Sequence, residues 1–419
     1  MHCSRSVESR VFVRFPTFRW VFVAFALGNL VAVFLRSANA VIAPDLMRDI
    51  GLNAEQLGSM TSVYYITFAL MQLPLGAALD RYGSRKVIPI LMIPTIIGCI
   101  VYAQATSFTG VAIGRLLIGI GTAGGLMGAV KTFGNWVPSN RLATMTTSMM
   151  ALGGVGGIMT TSPMAWVNAQ YGWQNIFYGG TVVVTLVACA IWFWSRDFPA
   201  MTPVVRSTGN PFEGFRAIYS NKAFWQMAPL YFSMLGTLLA VQTLWAGPFL
   251  YDVLSYTPPQ AGAMLFMMGV GAILGYAISG PLGDRYGAPR MILYAQLLLI
   301  ATLSVFVGAP VITQQPIVAL LYLCFSLGAA FNVILLPQAR TLFSAQMSGR
   351  AVTALNIFGF IGAYFFQRTM GYVIELQGKN SAGHYGTLGY QYAFAIPLVC
   401  AILALINYLP LVRAQQLKG

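Results

Sequence analysis

Arg36, Arg115, Lys131 and Arg368 each fall inside a long run of apolar residues. A charge held away from water costs on the order of 3 kcal/mol by insertion scales, so such a residue needs a cavity, a partner or an escape to a polar surface. No Asp or Glu stands in the middle of any run in the first half of the chain: Asp45, Asp49 and Asp80 lie toward run ends. A guanidinium offers a planar fork of donors that matches a carboxylate. Two such forks without a protein counter-ion predict that the negative partner is a small anionic solute. The competing reading bonds one or both arginines to helix carbonyls, or lets them reach the surface.

The other two cations read differently. Lys131 lies about 24 Å along the same helix from Arg115, too far for one small molecule to bridge, so a gating residue or a surface-seeking lysine is expected. Arg368 and Glu375 are seven apart and share a helix face. An internal salt bridge is expected there, with ion coupling as the other use.

The elements that must hold these residues are membrane-spanning helices. Of 419 residues, 57% are hydrophobic and 8% charged, against roughly 25% charged in an ordinary soluble domain. Apolar segments fall at 20–44, 57–79, 87–106, 109–137, 142–166, 175–195, 224–252, 260–283, 291–309, 315–338, 351–376 and 391–412, each long enough to cross a bilayer. The fold class is therefore an all-α polytopic membrane protein of twelve transmembrane helices. The expected organisation is a cytoplasmic tail (1–18), a six-helix bundle (19–196), a cytoplasmic linker (197–222), a second six-helix bundle (223–412) and a short cytoplasmic tail (413–419).

Lys and Arg set the orientation: eighteen fall on the side shared by both ends and only Arg48 and Lys379 on the other. By the positive-inside rule both termini are cytoplasmic. Short loops suggest a bacterial inner membrane. The net charge of +14 thus reflects membrane orientation, and no nucleic-acid partner is expected. The partners are a small solute and membrane lipid, with the chain acting as a monomer. His2 and His384 lie outside the runs, and no nucleophile–base set is present, so no enzyme is expected. The five cysteines are scattered without metal or disulfide spacing; no cofactor and no metal are expected.

The two halves repeat. Gly76-Ala-Ala-Leu-Asp80-Arg81-Tyr82-Gly83-Ser-Arg85-Lys86 returns as Gly280-Pro-Leu-Gly-Asp284-Arg285-Tyr286-Gly287-Ala-Pro-Arg290, an offset of 204 residues. A duplicated six-helix unit is the economical explanation, as in carriers that rock about a central site. These segments resemble the signature loop of the major facilitator superfamily, and Arg115-Leu-Leu-Ile-Gly119-Ile-Gly121 is similar to another of its elements. In that family the loop contacts hold a cytoplasmic gate, which implies gating roles for Asp80, Arg81, Gly83, Arg85, Asp284, Arg285, Gly287 and Arg290, with Lys131 beside them. The glycines permit the tight turn.

The stretch from Arg36 through Pro44, Asp49 and Gly51 to Gly58, with Trp136-Val-Pro138-Ser-Asn-Arg141, resembles the organic anion:cation symporters. In that group arginines of the first and fourth spans contact the substrate carboxylate. Proton-coupled members carry acids where this chain has Leu35 and Thr122, so coupling by that route is not implied. Adding 204 to 36 gives Ala240, so a symmetric two-arginine clamp for phosphate esters is absent. Tyr64, Gln242, Trp245, Asn332 and Asn356 are candidates to complete the site with hydrogen bonds and stacking. The expected function is secondary transport of a small organic anion by alternating access. An amino-acid or dipeptide carrier, a drug exporter and a non-transporting receptor remain as alternatives.

Overall fold

A computed structural model describes the backbone of residues 15–137, 139–195, 218–308, 312–341, 345–380 and 383–416. Within these it leaves aside the side chains of 15–17, 77, 80, 135, 139–144, 147, 340–341, 345–350 and 413–416. The tail arginines, nearly all of the linker at 197–222 and the Asp80, Arg141, Arg340 and Arg350 side chains lie outside the description.

Helical segments follow the apolar runs in order, and each is called a span here by its place in the chain. Nine of them are long and apolar enough to cross a membrane among the described residues. Spans two (Ala54–Tyr82), five (Ser139–Tyr171, in two pieces) and eleven (Ala345–Leu376) are helical too but richer in Thr, Ser, Gln and Tyr. Their position explains that composition. Span two packs along span eleven, and span eight (Pro258–Tyr286) against span five, so these helices face the seam between the halves rather than lipid. By contrast span six (Trp173–Trp194) has only 28% of its most apolar window buried, with Leu186 and Phe193 exposed. Span seven (Lys222–Asp252), at 83% buried, is the most enclosed of the nine.

Four spans are interrupted at matching places in the two halves. Span one breaks at Ala38, between helices Phe15–Ser37 and Asn39–Ile50; span four is divided at Ala123–Gly124, between Phe108–Thr122 and Gly125–Trp136. In the second half, span seven widens into a π turn over Val241–Trp245, and span ten (Gln315–Thr341) tightens into a 3-10 turn over Phe331–Ile334. An interrupted ladder leaves carbonyls without their usual N–H partners, and in a membrane protein these must be satisfied by other groups. Polar side chains bond carbonyls at all four: Arg115 donates to the Leu35 carbonyl, Gln72 to Ala123, Thr243 to Leu239 and Asn332 to Ala329.

The signature loops are tight turns, as the spacing predicts. Gly83 and Gly287 have φ of +77° and +89°, a region that side chains with a Cβ rarely enter. At the opposite end of the bundle, which we call the distal face, the halves are in close contact. A Cβ on Gly58 would meet the Gln367 carbonyl at 2.5 Å and the Trp245 ring at 3.1 Å, and one on Gly371 the Ala54 carbonyl at 2.6 Å. A Cβ on Gly247 of span seven would come closer still to a backbone atom, the Ala40 carbonyl of span one.

Candidate functional site

Arg36 occupies the last turn of the first helix of span one, where unpaired carbonyls favour a cation. It is half-buried, and its Nε is shielded from solvent without a hydrogen-bond partner. Arg48 pairs with Asp45 and Asp49 at 2.8 Å, and among the described residues no carboxylate is paired with Arg36. The phenols of Tyr64 and Tyr65 in span two and of Tyr276 in span eight lie within electrostatic reach of it.

Arg115 is placed differently. It is fully buried, donates from Nη1 to the Leu35 carbonyl at 2.7 Å, and lies 5.9 Å and 5.7 Å from the ring centres of Tyr64 and Tyr102. Its Nε and Nη2 have no partner. The helix-carbonyl reading thus applies to this arginine: it fastens the broken end of the helix that carries Arg36, with aromatic faces supplying part of the missing negative charge. Tyr102 in turn donates to Asn39 at 3.0 Å, and Asn39 donates to Thr61 at 2.8 Å, so span three and span two hold the other side of the same break.

Around Arg36 the two tyrosines of span two diverge, as adjacent residues on a helix must. Tyr64 pairs with Thr122 at 2.9 Å inside the first half. Since Thr122 already donates to Ile118, the phenol is the donor in that pair. Tyr65 reaches across the seam to Thr243 at 2.7 Å. Thr243 also accepts from Gln367 at 2.9 Å, so one hydroxyl in the π turn joins spans two, seven and eleven.

From the second half, Asn332 is buried and interacts with Tyr276 beside its bond to Ala329. Asn356 accepts from Tyr231 at 3.0 Å. Gln242 is half-buried on the π turn. Trp245 departs from the sequence expectation of a stacking surface: it is buried, donates to the Gln367 carbonyl at 3.1 Å and packs against Gly58 and Gly371. It fills the closed distal seam. Neither Tyr276 nor Thr243 stands out in the sequence, and of the neighbouring Tyr64 and Tyr65 spacing alone does not say which faces the site. A tyrosine in an apolar run carries no signal of which way it points, and only the position of the breaks brings these groups together.

The expected Arg368–Glu375 bridge does not form. Arg368 is exposed and donates to Tyr364 at 2.9 Å, one turn away. Glu375 turns instead to the other half and accepts from the Ala54 backbone N–H at 3.0 Å and from the Tyr385 hydroxyl at 2.5 Å. At the signature loops, Lys131 donates to the Leu79 carbonyl and Arg85 to the Trp192 carbonyl, so both fasten helix ends within the first half. Arg81 lies over Tyr82 and Arg285 over Tyr286, while Asp284, Arg285 and Arg290 are exposed.

The sequence profile described as Major Facilitator Superfamily matches residues 25–367. A hexuronate transporter of Escherichia coli (strain K12) is 22% identical over 357 residues, covering 79% of this chain and 81% of the relative. A putative tartrate transporter of Agrobacterium vitis is 24% identical over 430 residues, covering 96% and 92%. Among solved structures, a bacterial homologue of the human lysosomal transporter Spinster, in an inward-facing and unoccupied conformation, aligns with a TM-score of 0.74 at 18% identity, covering 94% of this chain and 96% of that one.

Proposed function

The chain belongs to the major facilitator superfamily, and on that premise we propose that it moves a small organic anion, a carboxylate, across the membrane by alternating access. The observation that carries the reading is Arg36: a half-buried guanidinium with a solvent-shielded, unpartnered Nε and no carboxylate paired to it among the described residues. Leaving such a group unpaired is costly, and a carboxylate that supplies both charge and acceptors relieves the cost. The chemistry of the two relatives supports the class, since hexuronate and tartrate are both hydroxylated carboxylates. Tyr276, Asn332, Tyr231 and Asn356 offer neutral donors and acceptors from the second half, suited to hydroxyls rather than to a second anionic group.

In this reading Arg36 contacts the carboxylate and Arg115 positions it through the Leu35 carbonyl. Tyr64, Tyr65 and Gln242 line the first-half and seam sides, while Trp245 and the paired glycines form the distal gate. The signature loops around Asp80, Arg85, Asp284 and Arg290 work the opposite gate. That gate and both termini face the cytoplasm of a bacterial inner membrane, following the eighteen-to-two distribution of Lys and Arg. The chain works as a monomer.

The test is a thermal-shift screen of the purified protein against hydroxy-carboxylates, amino acids and phosphate esters, repeated with Arg36→Gln. Hydroxy-carboxylates are expected to stabilise the wild type, as any ligand of the folded state does, and to lose that effect in the variant. A carboxylate that stabilises both proteins equally removes Arg36 from the site. Effective competition by neutral zwitterions turns the assignment to an amino-acid or dipeptide carrier.

A further inference from the structure

The distal seam is closed by a carboxylate that belongs to one half and bonds the backbone of the other. Glu375 sits near the end of span eleven, and its Oε2 accepts from Ala54 N–H, at the start of span two, at 3.0 Å. Tyr385, on the hairpin joining spans eleven and twelve, donates to the same oxygen at 2.5 Å while accepting from the same N–H at 2.9 Å. Three groups from three chain segments thus meet at one point. The Ala54 end is shaped to receive an anion: Asn53 and Gln56 form a reciprocal cap on the helix, fixing the N–H of the first turn where the helix dipole is positive. The hairpin is itself held, through a bridge between Lys379 and Tyr385 and through His384, whose Nδ1 pairs with Asp252 of span seven at 2.9 Å.

The titratable and charged neighbours are few. Glu55 follows Ala54 on span two; Lys379 lies 5.1 Å from the Tyr385 ring centre; Asp252 is already engaged by His384 and by the Tyr390 hydroxyl at 2.7 Å; Arg368 is bonded to Tyr364 two turns away. No cation is paired with Glu375 among the described residues, so what holds it is a helix end and a phenol.

We propose that Glu375 is a proton-binding switch of the distal gate: ionised, it latches span eleven to span two, and a proton arriving from the distal side releases the latch. The reasoning is chemical. A carboxylate accepts both bonds strongly, whereas a neutral carboxyl accepts them weakly and brings an O–H for which the backbone N–H is no acceptor and the phenol oxygen is already engaged by that N–H. Protonation therefore weakens the latch, and acidification favours opening, by at most about tenfold per pH unit for one linked group. This places the proton-sensitive group at the gate rather than beside Arg36, where Leu35 and Thr122 carry no acid.

The proposal rests on the alternating-access reading, and the experiment separates the two. Spin labels on Asn175→Cys and Gln314→Cys, exposed near the distal ends of opposite halves, report the distance across the gate in a variant whose native cysteines are replaced. Distances are recorded at pH 7.5 and 5.5, with and without galacturonate. The long-distance population should rise several-fold with acid in the otherwise native chain. With Glu375→Gln it should be high and independent of pH; with His384→Gln the acid response should persist. Tyr385→Phe, which keeps the charge and removes one bond, should open at a higher pH and provides the test should Glu375→Gln fail to fold. An acid response that survives Glu375→Gln, disappears with His384→Gln or is unmoved by Tyr385→Phe overturns the proposal. Opening by galacturonate but not by acid defeats the switch and leaves alternating access standing; a gate that opens under no condition defeats both.

Discussion

Gly58→Ala is the most direct perturbation of the closed distal seam. The added Cβ would sit 2.5 Å from the Gln367 carbonyl and 3.1 Å from the Trp245 ring, with the Gly371 backbone at 3.3 Å. None of these neighbours is the free end of a flexible side chain: one is backbone of span eleven, one is a buried indole fixed by its own hydrogen bond, and one is a glycine already in contact. Overpacking of this kind costs about 1 to 3 kcal/mol. The cost falls on the closed arrangement alone, because the methyl group meets open space once spans two and eleven separate. The ratio of closed to open distal gates should therefore fall by about 5- to 150-fold. The assay is the accessibility of a cysteine introduced in the distal part of the seam to a membrane-impermeant thiol reagent, at constant pH, in a background lacking native cysteines. Labelling should be faster in Gly58→Ala than in the parent, while Gly76→Ala, where a Cβ meets nothing within 4 Å, should label like the parent. Equal labelling of Gly58→Ala and the parent, with the same thermal stability, would show that span two and span eleven do not part at this point, and the gate would have to be sought elsewhere.

Arg36→Gln should weaken carboxylate binding by at least about tenfold, since a hydrogen bond to a charged group is worth about 1.5–3 kcal/mol; isothermal titration reads the change. Arg115→Met should keep the fold but free the Leu35 carbonyl, lowering affinity for the same ligand while leaving its preference among carboxylates unchanged, as a binding series would reveal. Thr243→Val removes the acceptor shared by Tyr65 and Gln367 and should destabilise the closed chain by roughly 1 kcal/mol per lost bond, seen as a lower unfolding temperature. At the distal end of span one, partial burial pushes the Asp49 carboxyl up, but the bonds from Arg48 and Trp173 outweigh it and hold it below the usual carboxylate range. Its stabilising contribution is present above the unfolded value and lost as pH falls below about 4. Trp173→Phe, which removes the 3.0 Å bond, should therefore lose less stability than the parent between pH 6 and 3.5 in a thermal denaturation series.

Architecture was more legible in the sequence than the site. Hydrophobic runs, the distribution of Lys and Arg and the 204-residue repeat each follow from a local rule, and Arg36 declared itself because a cation in an apolar run needs a reason. Arg115 declared itself equally, yet its partner is a carbonyl set free by a break at Ala38, which no periodicity announces. Trp245 lies on a helix apolar on nearly every face, and Tyr65 stands beside a second tyrosine on a helix of mixed composition, so the side turned to the seam could not be read from spacing. Arg368 and Glu375 have the right separation for a pair, but the start of span two, more than three hundred residues away, outcompetes Arg368 for the carboxylate. The sequence separation that a helix imposes says which groups can meet, and tertiary packing decides which do.

The interruption of the helical ladder at Ala38, whose own dihedrals stay helical (φ −56°, ψ −34°), divides span one into a stalk and a short lever. The lever, Asn39–Ile50, is 12 residues long, about 18 Å at the usual helical rise. A tilt of roughly 10° about that joint would carry its far tip about 3 Å sideways while Arg36, on the stalk side and anchored next to Arg115, stayed in place. The grip on cargo and the movement of the lid would then be mechanically independent, so substitutions in the lever could alter turnover without altering what is carried.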